Sequence, residues 1–250
     1  MGDSFSTFVE AAHNQATKKV GDIVFDTSST LALWRAKTHL SKEPGTIDWV
    51  KGFQQGDVLF DVGANIGVYT LYAAKCRGIK VYAFEPSPFN YATLCRNIVL
   101  NQLSDKVSAF CLALSNKTII DYLHISSLQV GAAHTGFQNP VNEFGGALNA
   151  VHKQATLGFR LDDFIKTFNV PVPQHIKIDV DGAESLVIAG MENTLLNPML
   201  KSILIELPSR KGDELPDILS SILQAGFAIK KEEHPDGDTR LCNYILVRKV

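Results

Sequence analysis

At 250 residues and 45% apolar content, the chain is long enough to bury one large α/β core, so a single domain over 1–250 is expected. A formal net charge of −2, with no long block of like charges, argues against nonspecific nucleic-acid binding, which needs a basic surface. No apolar run approaches the roughly 18–20 residues of a membrane span. The N-terminus carries acids and no apolar signal core, and the four cysteines form no C-x-x-C pair. A cytoplasmic protein without a zinc site is the expectation.

In chain order, residues 1–19 are polar and weakly helical, a peripheral cap or arm. Residues 22–26 suit a short strand, and 31–38 and 46–52 suit helices, the second introduced by Pro44-Gly45. Residues 56–70, GDVLFDVGANIGVYT, then read as buried strand, glycine-cornered turn and helix start. Asp61 closes the strand, and Gly63 and Gly67 bracket the bend. Free N–H groups and a helix dipole converge at such a turn, which makes it a cofactor cradle. A second strand over 79–84 ends in Glu85, 22 residues after Gly63. An acid there can accept hydrogen bonds from both hydroxyls of a ribose. The candidate cofactors are therefore NAD(P) and S-adenosylmethionine. The turn Gly63-Ala64-Asn65-Ile66-Gly67 has Asn65 where a pyrophosphate binder wants a further glycine, which favours S-adenosylmethionine.

Ser87-Pro88 reads as an N-cap and first helical residue. The helix runs to about residue 100 with Tyr91, Leu94, Cys95, Ile98 and Val99 inward. A strand over 107–111 leads to Ala113-Leu114-Ser115, and 119–125 is strand-like. Residues 126–154, rich in Gly, Ser and Asn, suit a long loop for acceptor recognition, with His124, His134 and His152 its titratable groups. A strand over 155–158 and a helix over 161–169 follow. The strand 175–179 opens into Asp179-Val180-Asp181-Gly182-Ala183-Glu184 and a helix to about 189, continued briefly to 196. Then come a strand over 201–206, an amphipathic helix over 213–225 closed by Gly226, and a hairpin of 227–232 with 241–247. Asp61, Glu85, Asp179 and Glu206 all fall at strand ends, a pattern suited to a cationic, polyhydroxylated ligand.

FDVGANIGVYT, VYAFEPSPFNYATLCRNIVLN and HIKIDVDGAE, with KEPGTIDWVKGF upstream and ILIELP downstream, strongly resemble the FkbM-type S-adenosylmethionine-dependent methyltransferases. The resemblance covers about residues 38–208. It implies a Rossmann-like class I methyltransferase fold: a seven-stranded, mostly parallel sheet in the order 3-2-1-4-5-7-6, with a C-terminal antiparallel hairpin. Residues 1–52 become a cap or lid segment containing Lys42-Glu43-Pro44, and 53–250 the core. S-adenosylmethionine would meet Asp61, Gly63, Asn65, Gly67, Glu85, Pro86, Ser115 (at adenine) and Asp179. Asp179 and Asp181 would stand near the reacting methyl, with Glu184 a helix N-terminal charge. The activity implied is O-methylation of a hydroxyl on a small metabolite, sugar or polysaccharide precursor. A divalent metal is not favoured; if present, Asp179 and Glu206 would hold it. The Asn/Asp-Pro-Pro-Tyr/Phe motif of base-amine methylation is missing, which again points to a small-molecule or glycan acceptor rather than nucleic acid. A nicotinamide-dependent oxidoreductase and a catalytically silent S-adenosylmethionine-binding module are the alternatives.

Overall fold

The computed structural model describes residues 16–142, 144–209 and 216–249. Residues 1–15 of the arm expected over 1–19, and the helix start expected at Asp213, lie outside these residues. The first element among the described residues is a hairpin of β1 (Thr17–Val20) and β2 (Ile23–Asp26), so the end of the expected polar arm is a strand. TKKV carries no apolar alternation because β1 has a single partner and exposes its lysines. Helix α1 (Thr30–Thr38) is capped by Ser29, whose hydroxyl accepts from the Ala32 N–H at 3.0 Å. Helix α2 (Pro44–Lys51) starts on the proline.

Strand β3 (Val58–Val62) is buried at every position, which explains its unbroken apolar run. The glycine turn leads into α3 (Val68–Tyr72), which widens into a π-turn over Ala73–Arg77. Strand β4 (Lys80–Phe84), helix α4 (Pro88–Leu100) and strand β5 (Val107–Phe110) follow. A second sheet comprises β6 (Ala113–Leu114), β7 (Ile119–Ile125), β8 (Thr135–Phe137) and β9 (His152–Phe159), in the order β6-β9-β7-β8. The chain then runs through α5 (Leu161–Phe168), β10 (His175–Ile178), α6 (Glu184–Ala189), α7 (Glu192–Leu196) and β11 (Ser202–Pro208). It finishes with α8 (Asp217–Gln224), β12 (Phe227–Glu233) and β13 (Leu241–Arg248).

The main sheet has seven strands in the order β12-β13-β11-β10-β3-β4-β5. Strands β5, β4, β3, β10 and β11 pair in parallel, and β13 runs antiparallel to both of its neighbours, β11 and β12. Counting these strands alone in chain order gives the 3-2-1-4-5-7-6 arrangement that the resemblance implied. Strand order reverses between β3 and β10, so the crevice for a ligand lies at their carboxyl ends. One apolar core packs α5, α6, α7 and α8 on a face that carries Phe60 and Ile178. The other packs α1 to α4 on the opposite face, around Leu59 and Val81.

Two further sequence readings are corrected. The 126–154 loop is partly sheet: β8 lies within it, and β9 begins at His152, because β7 supplies a partner on each side. Helix α4 turns Asn90, Thr93, Leu94, Asn97 and Ile98 inward, whereas Val99 is 67% exposed. Its amides pair with backbone. Asn97 Oδ1 accepts the Asp26 N–H at 2.6 Å, and Asn101 accepts from Val24 N at 2.9 Å and donates to Val24 O at 2.6 Å.

Candidate active site

The first corner of the crevice is set by steric necessity. Gly63 has φ +82°, and a Cβ there would lie 1.7 Å from the Asp179 carbonyl oxygen, so only glycine lets the ends of β3 and β10 close. The N–H groups of Gly63 and Ala64 both donate to Phe84 O, at 2.9 and 3.0 Å, which ties this turn to the end of β4. Asn65, at φ +51°, donates its N–H to Glu85 Oε2 at 2.8 Å, and Ser87 N donates to Oε1 at 2.9 Å. Each oxygen of Glu85 thus holds one backbone donor and keeps further acceptor capacity. Burial pushes the Glu85 carboxyl up to about 7, against the pull of those two N–H groups.

The second corner is a buried charge cluster. Asp61 is 1% exposed; its Oδ2 accepts the Thr70 hydroxyl at 2.5 Å, while Oδ1 has no hydrogen-bond partner. Burial raises this carboxyl, and Lys177 opposes the rise. Lys177 itself is 2% exposed, with Nζ 2.7 Å from Asp179 Oδ2 and 5.1 Å from the centre of the Tyr69 ring. Burial works to raise the Asp179 carboxyl, but the charges of Lys177, Lys42 and Arg35 prevail and hold it below the ordinary range. Asp181, at φ +55°, accepts the N–H groups of His134 (2.7 Å) and Thr135 (3.4 Å) on one oxygen. Burial and the neighbouring Asp179 push it up to about 6. Glu184 Oε1 accepts from Val180 N and Gly182 N, both at 3.2 Å, so it locks the turn after β10.

These corners border a cleft of about 1030 Å³, part of it open to solvent. Of the residues marked in the sequence, Asp61 stands in its wall near the end of β3, Gly63 and Asn65 just after that strand, Glu85 and Pro86 after β4, and Asp179 and Asp181 after β10. Gly67, Ser115 and Glu206 do not. Gly67 heads α3 at φ +88°, where a Cβ would come within 2.4 Å of Leu94 Cδ1, so its glycine serves packing. Ser115 is buried, with its hydroxyl 3.0 Å from Gln138 Oε1. Glu206 is pushed up to about 9 by burial, Asp179 and Glu43. A divalent ion between Asp179 and Glu206 would compete with Lys177, whose buried ammonium already pairs with Asp179 at 2.7 Å. Among the described residues no group of three or more potential metal ligands forms.

His124, His134 and His152 are likewise outside the wall, whereas Thr135 and Phe137 of the same segment are in it. Sequence reasoning missed Arg35, Tyr69 and Lys177, all wall residues. Only Lys177 left a signal, as a charge inside the apolar strand HIKI. Of the 42–44 stretch, Lys42 and Glu43 line the wall. Glu43 is buried and accepts from Lys42 Nζ (3.1 Å), Thr46 Oγ1 (3.0 Å) and Asn243 Nδ2 (3.2 Å), a fixed wall position.

Residues 61–229 match the family described as the methyltransferase FkbM domain. The chain is 26% identical over 201 residues to 31-O-demethyl-FK506 methyltransferase FkbM of Streptomyces tacrolimicus, covering 72% of this chain and 76% of that protein. It is 27% identical over 178 residues to hexuronic acid methyltransferase AglP of Haloferax volcanii, covering 68% of this chain and 65% of that one. The solved structure of M. jannaschii TYW2 in complex with AdoMet superposes with a TM-score of 0.50 at 14% identity, over 93% of this chain and 86% of that one, a likeness of fold. No helix among the described residues is long and apolar enough to cross a membrane. With the strand order, the glycine corner and the acids of the cleft in place, the family match over 61–229 makes this chain a member of the FkbM family of S-adenosylmethionine-dependent methyltransferases.

Proposed function

We propose that the protein methylates a hydroxyl oxygen of a small metabolite, sugar or polysaccharide precursor. The observation that carries the methyl-donor half of this reading is the unpartnered Oδ1 of Asp61 in the cleft wall, a buried acceptor awaiting a donor. The wall fits S-adenosylmethionine, which when bound supplies an electrophilic methyl group. In this reading Asp61 takes the ammonium, Glu85 takes the ribose diol, and Gly63, Asn65 and Pro86 let backbone approach the ligand. The family assignment displaces the nicotinamide alternative.

A hydroxyl acceptor must lose its proton, and the two acids after β10 differ in fitness for that task. Asp179 is held ionised by Lys177 and is a weak base that orients. Asp181, pushed up to about 6, is the stronger base, and its second oxygen is not engaged by the His134 and Thr135 N–H groups. We assign it as the proton acceptor. The oxygen acceptor is supported by the relatives, one named for a 31-O-demethyl substrate and one for a hexuronic acid. The four cysteines are free thiols, in keeping with a reducing compartment such as the cytoplasm.

Calorimetry with S-adenosylmethionine, followed by transfer of a labelled methyl to uronic acids and other hydroxylated acceptors, tests the proposal. The expected result is binding, S-adenosylhomocysteine release and an O-methyl signal in the product. Binding without transfer to any acceptor would leave a silent cofactor-binding module. A methylated nitrogen or carbon in the product would overturn the oxygen assignment.

A further inference from the structure

The cations of the cleft wall differ in what they already hold. Lys177 is engaged with Asp179 at 2.7 Å and Lys42 with Glu43 at 3.1 Å. His39, also in the wall, has its basicity lowered by burial, with Nδ1 at 2.8 Å from Ala36 O. Arg35 is arranged otherwise. Its Nε donates to Gly131 O at 2.7 Å, and among the described residues its two terminal nitrogens have no hydrogen-bond or ion-pair partner. One bond therefore fixes the plane of the guanidinium and leaves its fork open.

The carbonyl that fixes it belongs to a built element. Gly131 has φ +84°, and a Cβ there would come within 3.0 Å of Ala32 N, so glycine is what brings the segment against α1. Val130 O accepts the Ser29 hydroxyl at 2.6 Å, and Gly131 N donates to Asn90 Oδ1 at 2.8 Å. Ala132 O accepts the side-chain amides of Asn65 and Asn90, both at 3.0 Å. Arg35 is thus oriented by the same segment that positions Asn65 above the glycine corner. Its charge draws down the carboxyls of both Glu85 and Asp179, so it lies within electrostatic reach of the two sides of the cleft.

We propose that Arg35 is the carboxylate anchor of this cleft, its two terminal nitrogens clasping the α-carboxylate of the methionine part of S-adenosylmethionine. The donor carries an ammonium and a sulfonium, which suit an acidic wall, and one carboxylate, which that wall would repel. A guanidinium fork is the group that matches a carboxylate with two parallel hydrogen bonds. The inference rests on the methyl-donor reading above.

Titration calorimetry of the wild type, Arg35→Ala and Arg35→Lys tests it, using S-adenosylmethionine and its decarboxylated form, which retains adenosine, sulfonium and amine. The wild type should prefer the intact donor by about 10- to 100-fold, the range for a charged hydrogen bond. Arg35→Ala should lose that preference while binding the decarboxylated form as before, and Arg35→Lys should recover part of it. Equal weakening toward both ligands would show Arg35 acting only through Gly131 and would overturn the proposal. A preference that survives in Arg35→Ala would also overturn it, leaving the fork for an acidic acceptor. A wild type that binds neither ligand would instead remove the methyl-donor reading itself.

Discussion

Strand β10 has a polar cluster at each end, and the two are built on opposite plans. At the amino end, His175 is stacked on Phe53 with ring centroids 3.7 Å apart, between Ser202 Oγ (2.7 Å from Nδ1) and Asp57 Oδ2 (3.0 Å from Nε2). Trp49 donates to Ser202 Oγ at 2.8 Å, and Lys201 and Gln54 N complete Asp57, each at 2.7 Å. A proton on Nε2 satisfies the ring: it donates to Asp57, and Nδ1 accepts the Ser202 hydroxyl. The residue types are those of a hydrolytic triad, yet Ser202 is buried and every group is engaged. At the carboxyl end, Asp61 has an unpartnered oxygen, Glu85 has acceptor capacity left and Arg35 has an open fork. Residue type does not separate structure from chemistry here; unfilled hydrogen-bonding capacity facing a cleft does.

The largest expected break is Gly63→Ala. It forces a side chain at φ +82° into the Asp179 carbonyl, and it should cost roughly 4 kcal/mol and abolish donor binding, seen by denaturant unfolding and calorimetry. Next is acid sensitivity at the closed end. His175 is lowered from 6.5 to about 4, chiefly by burial, so the folded state binds fewer protons between those values. Its contribution is complete above pH 6.5 and drains as pH falls toward 4, by up to about 3 kcal/mol. The carboxyls of Glu85 and Glu184, raised to about 7, act with the opposite sign in the same window. The difference between wild type and His175→Gln, unfolded in urea at several pH values, therefore isolates the histidine; equal slopes would refute the assignment.

Glu85→Ala should do the reverse of a change at His175. Donor affinity should fall by about 1.5–3 kcal/mol, while removal of a desolvated carboxyl offsets part of the cost of leaving the Asn65 and Ser87 N–H groups without their acceptor. In the wild type, affinity should weaken as pH drops through about 7, where Glu85 gains its proton, and the variant should lack that dependence. The smallest effect is Trp49→Phe, which removes one donor to Ser202 Oγ and should cost about 1 kcal/mol with donor affinity unchanged. A loss of binding there would mean that the two ends of β10 communicate.

The main sheet was legible because β3, β4 and β10 are short apolar runs that end in an acid, and their order follows from helices alternating with strands. The wall acids were legible for the same reason, as strand-end positions. Elements whose logic is long-range were not. β1 has no apolar period. Lys177 is tolerated inside β10 by acids brought from elsewhere: Asp179 in the turn beyond Ile178, Glu43 before α2 and Asp61 of β3. Arg35 lies on a helix with almost no amphipathic pattern and is aimed by a carbonyl 96 positions away. Helix α4 misled because apolar periodicity counts Val99 as inward and cannot see that Asn90 and Asn97 are the buried positions.

That amide row limits how this protein can be redesigned. A computational repacking that treats the buried face of α4 as vacant greasy volume would write leucine at Asn97 and Asn101. Doing so would strip the Asp26 and Val24 N–H groups and the Ile66 carbonyl of their partners, and would leave the β1–β2 hairpin docked on a surface that no longer answers it. Thermostabilised variants are better sought on the outward side of that helix, where Val99 already tolerates water.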